Sequence, residues 1–316
     1  MVRKFAYNKI FRTTGMLLLF LLLILFPVSK EYSLDDVTTK TTYIKKEKVV
    51  YLIDKNNYVA RCKVNITAYT NEEYAIKVLE LLKLDGKYSN LIPNGFKAIL
   101  PSDLQVNKVR IDDNKIVIDL SPELLNIKEE YEKIILELIT YNLTEIPGIE
   151  EVYININGNE LNKFNSGNVI NMPLTRKNGI NIDSNIYNYK DAKLLTIYYV
   201  NKNHDGYYFI PVSKVTNDTK EDIKIIVDEL KQAPINQKGL MSFLNYNAQL
   251  IDYNIENDKI TLNFNDFLYD DEIEKTVSEE VINSISLSMK DNYDASEVVF
   301  NINGNEIIKS VIKNIE

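Results

Sequence analysis

The sequence predicts an α+β fold, with two tandem ββαββαβ-like domains behind an N-terminal membrane helix. Three observations carry this. The hexapeptide Asn-Ile-Asn-Gly-Asn-Glu stands at 155–160 and again at 301–306, so the chain repeats with a period near 146 residues. Short runs in each half alternate apolar and polar residues, the pattern of strands covered on one face. Between them, apolar residues recur at helical spacing behind threonine-led capping signals.

The elements follow in chain order. Residues 1–30 hold Arg3, Lys4, Lys9, Arg12 and Lys30, no acidic residue, and the uncharged run Gly15 to Val28. As a helix that run reaches about 21 Å, short of the ~30 Å hydrocarbon core, which suits a signal peptide. Pro27-Val28-Ser29 is a poor cleavage triplet, so the expectation is an uncleaved anchor crossing the membrane through residues 10–28. The basic flank stays cytoplasmic, giving a single-pass cell-membrane protein with an extracytoplasmic C-terminal body, secreted if the segment is cleaved. Residues 31–46 are polar and aperiodic and read as a linker.

The first domain is expected over 47–162 and the second over 193–316, with 163–192 as a polar linker. Each opens on a hairpin, VVYLI and YVARCKV in the first, LLTIYYV and YYFIPV in the second. A helix follows, capped at Thr70 with Glu73 closing a capping box, and at Thr219 in the second copy. The hairpin at 109–121 has its counterpart at 253–265, with Ile116, Ile118 and Leu120 matched by Ile260, Leu262 and Phe264 as the covered face. The next helix shows Tyr131, Ile134, Ile135 and Leu138 and stops at the turn Pro147-Gly148; its counterpart shows Ile273, Val277, Val281 and Ile285. The last strand of each copy runs into Asn157-Gly158 or Asn303-Gly304, where both residue types tolerate positive φ, so these are read as structural turns.

Composition and motifs narrow the function classes. The net charge is -8, and outside residues 1–30 there are 32 basic against 45 acidic residues, a balance that repels a nucleic acid backbone. The single Cys62 excludes an internal disulfide and a cysteine-based zinc cluster, and its place in an alternating run makes it a strand residue rather than a nucleophile. The sole histidine, His204, sits in a turn, and no G-x-S-x-G, P-loop, G-x-G-x-x-G or H-E-x-x-H occurs. Residues 201–206 mimic the start of a calcium loop, but position twelve is Val212 where a bidentate glutamate is needed. Asp112-Asp113 and Asp270-Asp271-Glu272 stand in turns and first helical turns, where carboxylates are ordinarily solvated or capping. The expectation is a protein with no catalytic, metal or cofactor-binding residue.

From Leu138 to Leu161, LITYNLTEIPGIEEVYININGNEL resembles the end of the GerMN domain, and VRIDDNKIVIDLS with the turn Ile92-Pro93-Asn94-Gly95 is similar to that family's hairpin and its entry. The second copy lacks the proline-glycine turn and a clear IPNG, and no cysteine follows the apolar segment to take a lipid. The resemblance implies a fold akin to the ring-building motif and a non-enzymatic, membrane-attached scaffold of sporulation, germination or cell-envelope complexes. Its partners would then be envelope or sporulation-complex proteins. A reading from another class is a cell-wall carbohydrate-binding module, with Tyr198, Tyr199, Tyr207 and Tyr208 stacking on peptidoglycan.

Overall fold

A computed structural model describes residues 47–184, 190–234, 237–271 and 273–311. The anchor expected through residues 10–28 and the linker at 31–46 lie outside them; among the described residues no helix is long and apolar enough to cross a membrane.

The first repeat runs β1 (Glu47–Asp54), β2 (Val59–Asn65), α1 (Asn71–Leu81), β3 (Phe96–Lys97), β4 (Val106–Asp112), β5 (Lys115–Leu120), α2 (Glu129–Leu143), β6 (Glu151–Ile156) and β7 (Asn159–Glu160). After β8 (Asp183–Ser184), the second runs β9 (Lys193–Lys202), β10 (Tyr207–Thr216), α3 (Asp222–Glu229), β11 (Leu250–Glu256), β12 (Lys259–Phe264), α4 (Glu279–Tyr293), β13 (Glu297–Ile302) and β14 (Asn305–Val311). The fold is the tandem α+β arrangement that the duplicated pattern implies.

Each repeat has its own four-stranded sheet, β4-β5-β6-β7 and β11-β12-β13-β14. The middle pairs β5–β6 and β12–β13 are parallel, so each needs a crossover, which α2 and α4 provide. The expected apolar face is buried in both, Ile116, Ile118 and Leu120 in one and Ile260, Leu262 and Phe264 in the other. Each repeat also has a return strand that was not expected, and the first has the two-residue β3 besides. Asn-Gly is the bend of a hairpin, and β7 or β14 returns along the preceding strand, pairing Ile156 with Asn159 and Ile302 with Asn305.

The opening hairpins do not stay separate. A third sheet, in the order β3-β1-β2-β10 with β9 and β8 both on β10, joins the two repeats. Residues 163–184 of the segment expected as a polar linker are packed: Phe164, Ile170, Leu174 and Ile180 are buried in the first core, Leu174 pairs with Val152, and β8 lies parallel to β10. Its polar residues satisfy backbone and side-chain groups of both repeats, which its composition does not reveal. Ala60 conversely belongs to the second core, where Tyr58 and Phe96 also pack.

Three expected helix details differ. Thr219 is exposed and does not cap; Glu221 precedes α3 with no side-chain capping bond. Ser278 caps α4 instead, accepting from Val281 N at 3.4 Å, so Ile273 falls before the helix and is 94% exposed. On α2 the buried stripe turns to Ile135, Leu138 and Ile139, leaving Tyr131 exposed.

Candidate functional site

The groups named as catalytic or ligand candidates are scattered. His204 is exposed, as are Asp112, Asp113, Asp270 and Asp271; Glu272 lies outside the described residues. In the calcium-like loop the Oδ1 of Asn203 accepts from Asp205 N at 2.9 Å and Gly206 N at 3.1 Å, and its amide donates to Asn94 O at 3.0 Å. The loop is held by its own backbone and by the IPNG turn of the first repeat. Cys62 is half-buried in β2 and burial pushes its thiol up to about 12, far from a neutral-pH thiolate. Among the described residues no three His, Cys, Asp or Glu side chains group as metal ligands.

The expected tyrosine face is absent in the form proposed. Tyr198, Tyr199 and Tyr208 are buried, and exposed Tyr207 packs edge-on against Phe243 at 5.3 Å. Strand alternation alone could not separate stacking platforms from core residues, because this sheet is covered on both faces.

The turn residues are placed alike in both repeats. Asn157 and Gly158 take φ of 48° and 82°, Asn303 and Gly304 φ of 49° and 82°, the left-handed pair that a two-residue hairpin bend demands. Gly158 N donates to Asp119 Oδ1 at 2.7 Å and Gly304 N to Asn263 Oδ1 at 2.8 Å, side chains of the preceding strands. Pro147-Gly148 closes the bend after α2, with Ile149 N on Ile146 O at 3.1 Å. In the second repeat left-handed Asp294 ends α4 in its place. The turn that the second copy lacked in sequence is present as Gly239, which packs on Asn56 of the first repeat as Gly95 packs on Asn203 of the second.

The strongest concentration of polar chemistry lies at the seam, and the sequence did not announce it. Tyr51 on β1 and Tyr198 on β9 occupy matching places in the duplication, as do Glu145 after α2 and Asp291 on α4. Their four side chains meet around Arg176 of the connecting segment. Arg176 gives Nη2 to Glu145 Oε1 at 2.8 Å, Nη1 to Asp291 Oδ1 at 2.6 Å and Nε to Thr144 Oγ1 at 2.9 Å. Lys290 Nζ reaches Glu145 Oε2 at 3.1 Å. Tyr51 Oη donates to Glu145 Oε1 at 3.0 Å, Tyr198 Oη to Asp291 Oδ2 at 2.7 Å, and the two hydroxyl oxygens lie 3.1 Å apart. Two hydroxyl protons therefore serve three contacts. The guanidinium also lies 4.7 Å from the Tyr141 ring centre.

Electrostatics make this cluster a fixed structure rather than a reactive one. Burial opposes the charge of Glu145, but Arg176 and Lys290 outweigh it and hold its carboxyl well below the usual range. Burial first, and the facing carboxylates second, push the hydroxyls of Tyr51 and Tyr198 far above the ordinary tyrosine range.

A second polar knot follows the same seam. Buried Asp54 accepts from Asn201 Nδ2 at 3.1 Å and Tyr208 Oη at 2.9 Å, both from the second repeat. Asn181 of the connecting segment accepts from Val59 N at 2.9 Å and donates to Val59 O at 2.8 Å and Pro211 O at 2.7 Å, bridging β2 and β10.

Comparison with known proteins accounts for the duplication. The model of the Germane family, described as sporulation and spore germination, matches residues 49–162 and 196–308, the two repeats in turn. The chain belongs to the Germane family. Among relatives of this family, the spore germination protein GerM of Bacillus subtilis is 35% identical over 261 residues, covering 81% of this chain and 71% of that protein. The solved tandem GerMN domains of the sporulation protein GerM from Bacillus subtilis match with a TM-score of 0.75 at 34% identity, over 82% of this chain and 91% of the other. The seam residues were within reach of the sequence through one signal: Tyr51 with Tyr198 and Glu145 with Asp291 keep the register of the Germane duplication.

Proposed function

We propose that this Germane-family protein is a non-enzymatic scaffold of a sporulation, germination or cell-envelope complex, attached to the membrane with its body outside the cytoplasm. What carries the reading is the tandem match to a sporulation protein across both repeats. Among the described residues, buried charges meet at the seam between the repeats, and the candidate reactive side chains are solvated or hydrogen-bonded. The partners are envelope or sporulation-complex proteins, bound through sheet faces and strand edges. Edge strands β4, β11 and β14 each carry a bulge, at Asn107, Ile251 and Ile307, which interrupts the edge they present.

Crosslinking in intact sporulating cells tests this reading, combined with deletion of the gene. Protein crosslinks from the body, with loss of an assembled envelope complex on deletion, are expected. Normal complex assembly and normal spores in the deletion strain would sink it. Retention of the body on purified peptidoglycan without protein crosslinks would favour glycan binding instead.

A further inference from the structure

We propose that Arg176 is a positioning residue that locks the two repeats in one relative orientation, by gripping one carboxylate from each repeat in a single guanidinium fork. The backbone supplies little of that lock. Within the repeats, β1 and β2 pair over seven residues and β9 and β10 over ten, but β2 and β10 meet at one register pair, Phe209 with Arg61. Side chains of the connecting segment take the place of the missing ladder. Asn181 ties β2 to β10 through their backbones, and Arg176 ties the end of α2 to α4 through Glu145 and Asp291.

The chemistry suits a lock. The Glu145 and Asp291 side chains are 7% and 2% exposed, and two cations, Arg176 and Lys290, stand against them, so the cluster is balanced only while its members stay together. Swinging the repeats apart would separate Glu145 from Lys290, Asp291 from Arg176 or Glu145 from Arg176, leaving a buried charge unpaired. It would also part the Tyr51 and Tyr198 hydroxyls. A planar fork can serve two carboxylates at once where an ammonium acts as a point charge, so arginine and lysine are not equivalent here. Germane repeats linked this way act as one rigid body, whatever partner they meet.

The test uses the full-length protein with Cys62→Ser and spin labels on cysteines at exposed Lys108 and Asn254, one per repeat. A narrow distance distribution is expected in the parent and a broadened one in Arg176→Lys and Arg176→Met. Hydrogen exchange supplies the second readout. The amides of Val59 and Ser213, which bond to the connecting segment at Asn181 and Ile180, should exchange at least about a hundredfold faster, while the β1–β2 ladder keeps its protection. An unchanged distance distribution in both variants overturns the proposal. So does exchange that rises evenly through both repeats, which would mark Arg176 as a general stabiliser rather than a lock.

Discussion

Apart from the two-residue β3 of the first, the two repeats build the same element order and finish it by different local chemistry. In the first, Thr70 caps α1, accepting from Glu73 N at 3.1 Å, and Glu73 reaches back to Tyr69 N at 2.8 Å. In the second, α3 begins with no side-chain capping bond. Asn142 of α2 holds Tyr51 through its backbone N–H and C=O, whereas α4 divides that work between Ser288, which accepts from Tyr198 N, and Asn292, which bonds both backbone groups of Thr196. The return strand is two residues long in β7 and seven in β14, because the connecting segment takes over along β6, where Leu174 pairs with Val152. What persists between repeats is the backbone need, for a cap, a bend or a bonded strand. The residue that meets it is free to change.

That comparison can be broken or sharpened by mutation. Ile139 and Ile285 are fully buried at corresponding places on α2 and α4, and truncating either to alanine should cost about 2–5 kcal/mol, read from denaturant midpoints. If one repeat tolerates the change, the two cores are not equivalent.

The next effect depends on pH and rests on Glu137 of the first repeat, whose counterpart is Asn283. Burial raises the carboxyl of Glu137 to about 7, against smaller opposing contributions from the Asn181 backbone N–H and Lys133. An unfolded glutamate titrates near 4.3, so below that value both states are protonated and burial carries no charge penalty. Between there and about 7 the unfolded chain ionises while the folded one resists, and stability falls as pH rises. Glu137→Gln should therefore stabilise by roughly 2–3 kcal/mol at pH 8 and by little at pH 4. Urea titrations at both pH values check the sign. Glu145 runs the opposite way: its depressed carboxyl adds stability above the ordinary glutamate range, lost only on strong acidification.

Asn181→Ala leaves backbone groups of Val59 and Pro211 short of partners and should cost about 1–3 kcal/mol. The loss should show as faster exchange at the seam before either repeat unfolds. The smallest effect is at the caps. Thr70→Ala should cost about 1 kcal/mol and Thr219→Ala close to nothing, measured as paired thermal shifts, since only the former accepts a helix N–H.

Much of each repeat was legible in the chain. Period two in 115–120 and 259–264 named the buried faces, and Asn-Gly located the bends, because each depends on neighbours close in sequence. Errors fell where distant residues decide. Ile273 fits a helical stripe but precedes its helix, since Ser278 supplies the cap that sets the start. Tyr198 and Tyr208 look like one exposed row of tyrosines, yet they lie buried against Asp291 and Asp54.

By itself the sequence determined the duplication, the order of strands and helices, the hairpin bends and the family, all matters of local pattern and repetition. Only the tertiary structure decided that 163–184 is packed rather than loose and that Arg176 joins Glu145 to Asp291. It also decided that Tyr51 meets Tyr198 across 147 residues of chain. The physical reason is that periodicity reports which side of an element faces a core. Which charges share that core depends on how two such elements are brought together, and one sequence carries no local mark of it.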